Sequence, residues 1–180
     1  GLGNKQALME YGPKLLSQEK RQHNSCSLLV IDLDHFKEIN DSYGHEAGDA
    51  ALRQITQAIR QSIRQSDFCF RYGGDEFVIL ITDTDIHKAK IVADKIRQTV
   101  EQTKILLDNQ TDDNVTIDAT VSIGCIDTKS LPDWSEDKAP ITDNAIHNLI
   151  HMADQALYKS KNNGRNQIVN YYDVADDSNQ

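Results

Sequence analysis

The sequence is poor in cysteine, in basic residues and in long apolar segments. It has three cysteines among 180 residues and 19 lysines and arginines against 28 aspartates and glutamates, which gives a formal net charge of −9. Such an acidic chain does not displace the condensed counterions of DNA or RNA, and it does not adhere to an anionic membrane surface. The charge does not exclude a nucleotide, because a few local cations and a metal ion can reverse its sign inside one cleft.

No apolar run approaches the ~20 residues that a membrane-spanning helix needs. The longest runs, 27–31 and 77–81, have the length of strands. The N-terminus lacks the order of basic, apolar and small residues that marks a signal peptide, and it opens at Gly1 rather than at a methionine. We therefore expect a cytoplasmic fragment of a longer protein, with any membrane anchor in the missing N-terminal region.

The cysteines predict no disulfide framework. Cys26, Cys69 and Cys125 are odd in number, widely spaced and flanked by apolar residues. This pattern favours buried free thiols in a reducing compartment over a disulfide or a metal site.

The pattern of apolar residues predicts one α/β domain with a short tail. Continuous apolar composition over Ser27–Leu33 predicts a central strand that is buried on both faces. Gly73-Gly74-Asp75 between two β-rich runs predicts a hairpin, because both glycines can adopt positive φ. Helices are predicted over 4–22 (with a break at Pro13), 49–65, 86–104 and 143–161, and further strands over 67–72, 76–82, 115–126 and 167–171. Residues 34–48 are predicted to be irregular, 108–114 a polar turn, 129–140 a surface loop and 173–180 an acidic, disordered tail.

Carboxylates stand at the predicted strand ends. Asp32 and Asp34 close the first strand, and Asp75 and Glu76 lie at the glycine hairpin. Hard oxygen ligands from two segments suit a Mg²⁺ ion that bridges nucleotide phosphates. Each feature also has an ordinary structural interpretation, since an aspartate often caps a turn and paired glycines often form only a hairpin.

Polar groups for a nucleotide are also present. In the segment 34–49, Lys37 could meet a phosphate, and Asn40 and Asp49 could meet a base edge. Lys161 and Arg165 lie on either side of a predicted helix end. They could bind phosphates, the lysine through its ammonium and the arginine through two parallel N–H donors. Alternatively, their charges only stabilise the C-terminus of the helix. From the residues alone, a magnesium–nucleotide site and a plain α/β domain both stay open.

Four motifs occur in a fixed order. Residues 71–77 read RYGGDEF, residues 31–52 read IDLDHFKEINDSYGHEAGDAAL, residues 121–124 read VSIG, and residues 153–166 read ADQALYKSKNNGRN. Together they resemble the GGDEF domain, the family of bacterial diguanylate cyclases, with its pattern DxDxFKxxND…GHxxGDxxL. The opening GLGNK resembles the family's LTGLxNR, with Lys5 where arginine is usual. The resemblance covers 1–169.

The resemblance implies a fold and an activity. The fold would be α/β (α+β), with a central, mainly antiparallel, five-stranded sheet flanked by helices, as in nucleotidyl cyclases and polymerase palms. Residues 1–170 would form the domain and 171–180 the tail. The activity would be condensation of two GTP into cyclic di-GMP and two pyrophosphates between two facing copies of the domain, with Mg²⁺ or Mn²⁺. The alternative is a non-catalytic module that binds cyclic di-GMP or GTP and regulates a partner.

The resemblance also assigns roles to single residues. Asp32 through its carboxylate, Leu33 through its carbonyl, Asp75 and Glu76 would bind the metal, with Asp75 as the usual catalytic residue. Lys37 would stabilise charge in the transition state. The remaining nucleotide contacts would be Phe36 and Lys37 through backbone N–H groups, Asn40 and Asp49 at the guanine edge, Leu52 against the base, His45 near the nucleotide, and Lys161 and Arg165 at the phosphates.

A further segment, Arg64-Gln65-Ser66-Asp67, resembles the family's RxxD inhibitory site. Arg64 and Asp67 would bind the product and cause feedback inhibition. Lys95 would replace the second arginine that the family has on the next helix. The alternative is an ordinary arginine and aspartate at a helix-to-strand corner.

Overall fold

The structure, a computed structural model, describes residues 2–107, 115–135, 141–142 and 144–177. The described elements in chain order are β1 (Gly3–Asn4), α1 (Lys5–Arg21), β2 (Ser27–Leu33), α2 (Phe36–Tyr43), α3 (His45–Ser62), β3 (Phe68–Arg71), β4 (Glu76–Ile81), α4 (Ile86–Gln102), β5 (Ile105–Leu107), β6 (Val115–Ile117), β7 (Val121–Asp127), two short 3-10 turns (Thr128–Ser130 and Pro132–Trp134), α5 (Ala145–Asn162), β8 (Ile168–Asn170) and α6 (Tyr171–Asp177).

The main sheet has the strand order β1-β3-β4-β2-β7-β8. Its three inner pairings are antiparallel, and the two outer pairings, β1 with β3 and β7 with β8, are parallel. The predicted mainly antiparallel sheet flanked by helices is therefore confirmed. The sheet has six strands rather than five because the two-residue β1 adds to the edge. Strands β5 and β6 pair separately.

The core lies on both faces of the sheet. Every residue of β2 is buried, which confirms the predicted central strand. Alternate β2 residues point to opposite faces, so Leu29 and Ile31 pack with the apolar faces of α3 and α4, whereas Leu28 and Val30 pack with α1 and α5. The domain thus has three layers, with helices on either side of the sheet.

Two predictions about the helices are wrong. Helix α1 continues through Pro13 without the expected break, and the Asn4 side chain caps it by accepting a hydrogen bond from Ala7 N at 2.8 Å. Residues 34–48 are mostly helical, because α2 covers most of the segment and α3 begins at His45. Gly44, with φ of 85°, lets the chain turn sharply between these two helices.

Two predictions about the C-terminal half also need correction. The single strand expected over 115–126 is divided into β6 and β7. The tail is helical in α6, where the Tyr172 hydroxyl donates a hydrogen bond to Asp127 Oδ1 at 2.7 Å. Residues 108–114, 136–140 and 178–180 lie outside the described part.

The three cysteines are free thiols, as predicted. Cys26 and Cys125 are buried, and Cys69 is half-buried. Burial raises the pKa of Cys69 and of Cys125 to about 12. In the described ranges, no helix is long and apolar enough to cross a membrane.

Candidate active site

The acidic strand end and the glycine hairpin lie side by side. The antiparallel register of β2 and β4 places Asp32 opposite Glu76. The backbone N–H of Leu33 donates to the carbonyl of Asp75 at 3.3 Å, which holds the hairpin against the end of β2. The four residues that the resemblance assigned to the metal are therefore neighbours, although two separate segments supply them.

Asp32 is a buried carboxylate with a cation beside it. The Asp32 side chain is 11% exposed, and Lys161 Nζ lies 2.9 Å from Asp32 Oδ1. Burial raises the pKa of Asp32, and the nearby charges of Asp75 and Glu76 raise it further, whereas Lys161 opposes the rise. The strand end is therefore a concentration of negative charge that a cation stabilises.

The donors at this edge fit a hard divalent cation only in part. Asp32, Asp75 and Glu76 offer carboxylate oxygens, and Leu33 offers a backbone carbonyl. Within the described ranges, no group of three or more His, Cys, Asp or Glu side chains is arranged to hold a metal ion. Carboxylate and carbonyl oxygens are the donor types that hard divalent cations bind.

Asp34, the other carboxylate at this strand end, has a structural role. Its Oδ1 accepts from Ser122 Oγ at 2.7 Å, and its Oδ2 accepts from Thr120 Oγ1 at 2.7 Å and from the backbone N–H of Asn166 at 3.0 Å. The sequence placed Asp34 among the candidate oxygen ligands. The structure instead uses it to join the end of β2 to β7 and to the turn after α5.

The hairpin is confirmed, but its conformation differs from the prediction. Among described glycines, positive φ occurs at Gly44 and Gly164 and not in the hairpin. A Cβ at Gly73 would lie 2.6 Å from Glu76 Oε2, so the glycine leaves room for that carboxylate.

Arg71, the first residue of RYGGDEF, holds this hairpin together. Its guanidinium donates two hydrogen bonds to the carbonyl of Gly74, at 3.1 and 2.7 Å. The backbone N–H of Tyr72 adds a bond to the carbonyl of Glu76 at 2.8 Å. No role for Arg71 follows from the sequence alone, although its place just before the glycine hairpin marks it as a candidate.

The candidate base-binding residues lie on α2 and α3. Any side chain at Gly48 would overlap Asn40 Oδ1 and press on the ring of Phe36, so this glycine lets the two helices meet closely. Asp49 is exposed on the first turns of α3, and Leu52 is buried one turn further on. Lys37 and His45 are exposed at the starts of the two helices.

A second cleft lies between α1, the end of α3 and β3. It has a volume of about 600 Å³ and is lined by Arg60, Arg64 and Asp67 together with apolar side chains. The backbone N–H of Arg64 donates to Asp67 Oδ2 at 2.9 Å, whereas the buried Asp67 Oδ1 has no hydrogen-bond partner in the described part of the chain. Lys95, the predicted second cation, does not line the cleft.

Sequence reasoning missed Arg60, which takes a place in this cleft beside Arg64. The spacing of four residues was a signal within the helix predicted over 49–65, because side chains four apart in a helix share a face. In the structure α3 ends at Ser62, so Arg64 follows the helix. Neither arginine has an ion pair with another residue of the described ranges.

A palm-like sheet with paired acids at the end of its central strand defines a nucleotidyl-cyclase-like domain. Residues 1–167 match the family model described as diguanylate cyclase, GGDEF domain. The chain therefore belongs to the GGDEF family of diguanylate cyclases.

Individual relatives agree with the family. The chain is 39% identical over 153 residues to the diguanylate cyclase DosC of Escherichia coli K12. The aligned region covers 85% of this chain and 30% of DosC. The GGDEF domain of DgcB from Caulobacter crescentus, in complex with c-di-GMP, is similar with a TM-score of 0.78 and 26% identity, over 95% of this chain and 92% of that domain. The diguanylate cyclase SiaD of Pseudomonas aeruginosa, in complex with its activator SiaC, has a TM-score of 0.79 and 27% identity, over 94% of this chain and 58% of SiaD. The chain thus spans about a third of the curated relative.

Proposed function

We propose that this domain is a diguanylate cyclase, which condenses two GTP molecules into one cyclic di-GMP and two pyrophosphates. The observation that carries the proposal is the acidic strand end, where Asp32 faces Glu76, Asp75 contacts Leu33, and Lys161 supplies the compensating charge. The family match and the name of the E. coli relative support the same activity.

Asp32, the Leu33 carbonyl, Asp75 and Glu76 would hold Mg²⁺, which Mn²⁺ can replace. When bound, the metal lowers the pKa of the attacking hydroxyl and neutralises charge on the phosphates. The chain's own part is to present three carboxylates at one edge, where the repulsion between their like charges favours the binding of a doubly charged cation.

The phosphates would be bound by groups from both ends of the chain. Lys161 would exchange its bond with Asp32 for one with a phosphate oxygen, and Arg165 would add a planar fork of donors. The backbone N–H groups of Phe36 and Lys37 stand at the N-terminus of α2, where helices bind anions. The Lys37 ammonium would stabilise the charge that develops on the transferring phosphoryl group.

The guanine base would lie against α2 and α3. Asn40 and Asp49 offer an amide and a carboxylate for the guanine edge, and Leu52 offers an apolar contact for the base. His45 stands at the start of α3, near the nucleotide. Gly48 keeps this surface open because a side chain there would displace Asn40.

The reaction joins two bound nucleotides. The 3′-oxygen of each ribose attacks the α-phosphorus of the other GTP, the bond to the β-phosphate oxygen breaks, and pyrophosphate leaves. One domain holds one GTP, so two copies must face each other, and proximity across this homodimer lowers the barrier. We place the domain in the cytoplasm, which supplies GTP.

The cleft with Arg60, Arg64 and Asp67 would bind the product and inhibit the enzyme. Asp67 Oδ1 is a buried acceptor without a partner in the described structure, and guanine offers N–H donors that would satisfy it. The two arginines would pair with the phosphates of cyclic di-GMP.

The activity test uses the purified protein with GTP and Mg²⁺ and detects cyclic di-GMP by chromatography. We expect product from the unchanged protein and none from Asp75→Asn. Asp83→Asn is the matched control, because Asp83 follows the opposite end of β4 from Glu76. Product formation should rise more steeply than linearly with protein concentration if a weak homodimer is the active form.

Absence of product at high protein concentration, with cyclic di-GMP still binding to the domain, would favour the alternative of a non-catalytic receptor.

A further inference from the structure

The turn after α5 has an unusual backbone. Gly164, Arg165 and Asn166 follow one another with φ of 109°, 64° and 46°. Positive φ suits glycine, but it is strained for arginine and tolerated by asparagine. Such a conformation persists only where the surrounding contacts enforce it.

The backbone N–H of Arg165 donates to the carbonyl of Ser160 at 3.1 Å, and Asn166 makes the remaining contacts that hold this turn. Its backbone N–H donates to Asp34 Oδ2 at 3.0 Å, which ties the turn to the end of β2. Its side-chain amide donates to Glu101 Oε1 at 2.7 Å and accepts from Arg97 Nη1 at 3.1 Å, which ties the turn to α4.

The partners of Asn166 are themselves held in place. The Arg97 side chain is 18% exposed and pairs with Asp94 at 3.0 Å and with Glu101 Oε2 at 2.8 Å. The hydrogen bond from Asn166 and the charge of Arg97 lower the pKa of Glu101, so its carboxylate stays ionised at neutral pH. The turn is therefore fixed from two directions, by Asp34 at the end of β2 and by Arg97 and Glu101 on α4.

The geometry points to Asn166 as a positioning residue for Arg165. Because Asn166 fixes the backbone on the C-terminal side of Arg165, it sets the direction in which the exposed guanidinium leaves the chain. A cation that is oriented before the nucleotide arrives loses less entropy on binding. This inference rests on the proposed function, in which Arg165 binds phosphate, and it adds a residue that acts only through Arg165.

The first arm of the test measures the turn without any nucleotide. Trypsin cleaves after Arg165 only when the turn opens, so the cleavage rate of the folded protein, relative to a peptide spanning 160–170, reports the anchoring. We expect Asn166→Gly, which keeps positive φ but loses the amide contacts, to speed this cleavage by roughly fivefold or more. Asn163→Gly is the matched control, because the Asn163 side chain makes no hydrogen bond with a described residue.

The second arm measures nucleotide binding by calorimetric titration with a non-hydrolysable GTP analogue in Mg²⁺. We expect Asn166→Gly to weaken binding about 10-fold, and Glu101→Ala to weaken it in the same direction. Glu101→Gln should restore binding because it keeps the acceptor oxygen. In an Arg165→Ala background, Asn166→Gly should cause no further loss, since its effect passes through Arg165.

Three results would separate the possible failures. Unchanged trypsin cleavage in Asn166→Gly would overturn the positioning role. An equal loss of affinity with and without Arg165 would overturn it too, because Asn166 would then act by another route. Undiminished binding by Arg165→Ala, by contrast, would overturn the phosphate assignment within the proposed function, whatever the trypsin result.

Discussion

Lys161 Nζ and Asp32 Oδ1 lie 2.9 Å apart, which makes a lysine from the last turn of α5 the counter-ion of the carboxylate that closes β2. The two residues are far apart in the sequence, and they meet because α5 packs across the sheet. Lys161 therefore offsets negative charge at the acidic strand end, and in the proposed function it would bind a phosphate of the nucleotide instead.

Asp32→Asn should remove activity without loss of stability. The raised pKa of Asp32 means that the fold disfavours its charge, so an amide of the same shape should leave the unfolding temperature unchanged or slightly higher. Cyclic di-GMP formation should fall on the order of 100-fold or more. Thermal unfolding and a product assay on the same preparation test both halves, and a variant that is less stable yet fully active would contradict this account.

Lys161→Ala should make the domain depend more strongly on divalent cations. Without the ammonium, the charged groups that act on Asp32 within the described structure are the like charges of Asp75 and Glu76. Mg²⁺ should therefore raise the unfolding temperature of Lys161→Ala more than that of the unchanged protein. Differential scanning fluorimetry with and without Mg²⁺ measures the difference, with Lys14→Ala on the surface of α1 as the control. Equal Mg²⁺ effects in all three proteins would show that Lys161 does not shield this edge.

Arg60→Ala and Arg64→Ala should each weaken the binding of cyclic di-GMP by about 10-fold or more, because each removes a charged donor from the cleft. Lys95→Ala should leave the affinity unchanged, since Lys95 does not line the cleft. Calorimetric titration with cyclic di-GMP gives the three affinities. Loss of binding in Lys95→Ala with normal binding in Arg60→Ala would restore the assignment that sequence alone suggested.

Gly124→Ala should destabilise the domain by about 2 kcal/mol. A Cβ at Gly124 of β7 would lie 2.4 Å from the backbone nitrogen of Leu157 and would also overlap the carbonyl of Ala153, so α5 would have to move away from the sheet. Urea unfolding measures the change. Gly74→Ala is the matched control, because no atom lies within 4 Å of a Cβ at that position. Similar unfolding midpoints for both variants would contradict the close packing of α5 on β7.

Cys69 should react slowly with iodoacetamide while the domain is folded. Its pKa is raised by burial from 9.0 to about 12, so the reactive thiolate is about 1,000-fold rarer at pH 8 than in the unfolded chain. The labelling rate should rise about tenfold per pH unit between pH 8 and 11. Because the folded state holds this proton more tightly, the contribution of Cys69 to stability should be lost as the pH rises from about 9 towards 12. Mass spectrometry of the labelled protein measures the labelling rate of Cys69. Fast labelling at pH 8 in the folded state would refute the prediction of slow reaction.

The elements that sequence predicted well are those whose signal is local. Residues 28–31 are apolar without interruption, and the structure places the predicted strand Ser27–Leu33 as the buried centre of the sheet with the same limits. The hairpin at Gly73 and Gly74 was equally visible. By contrast, α2 has one buried side chain, Ile39, so its polar sequence did not distinguish a helix from a loop.

What the sequence by itself determined is the family, the central strand and the set of residues that can carry the chemistry, because motifs and apolar runs are properties of short segments. Only the tertiary structure decided how those residues are used. In the structure Lys161 forms an ion pair with Asp32, and Asp34 accepts a hydrogen bond from the backbone of Asn166. Arg60 rather than Lys95 lines the second cleft. The physical reason is that these contacts depend on strand register and on how helices pack across the sheet, and neither is encoded in the spacing of neighbouring residues.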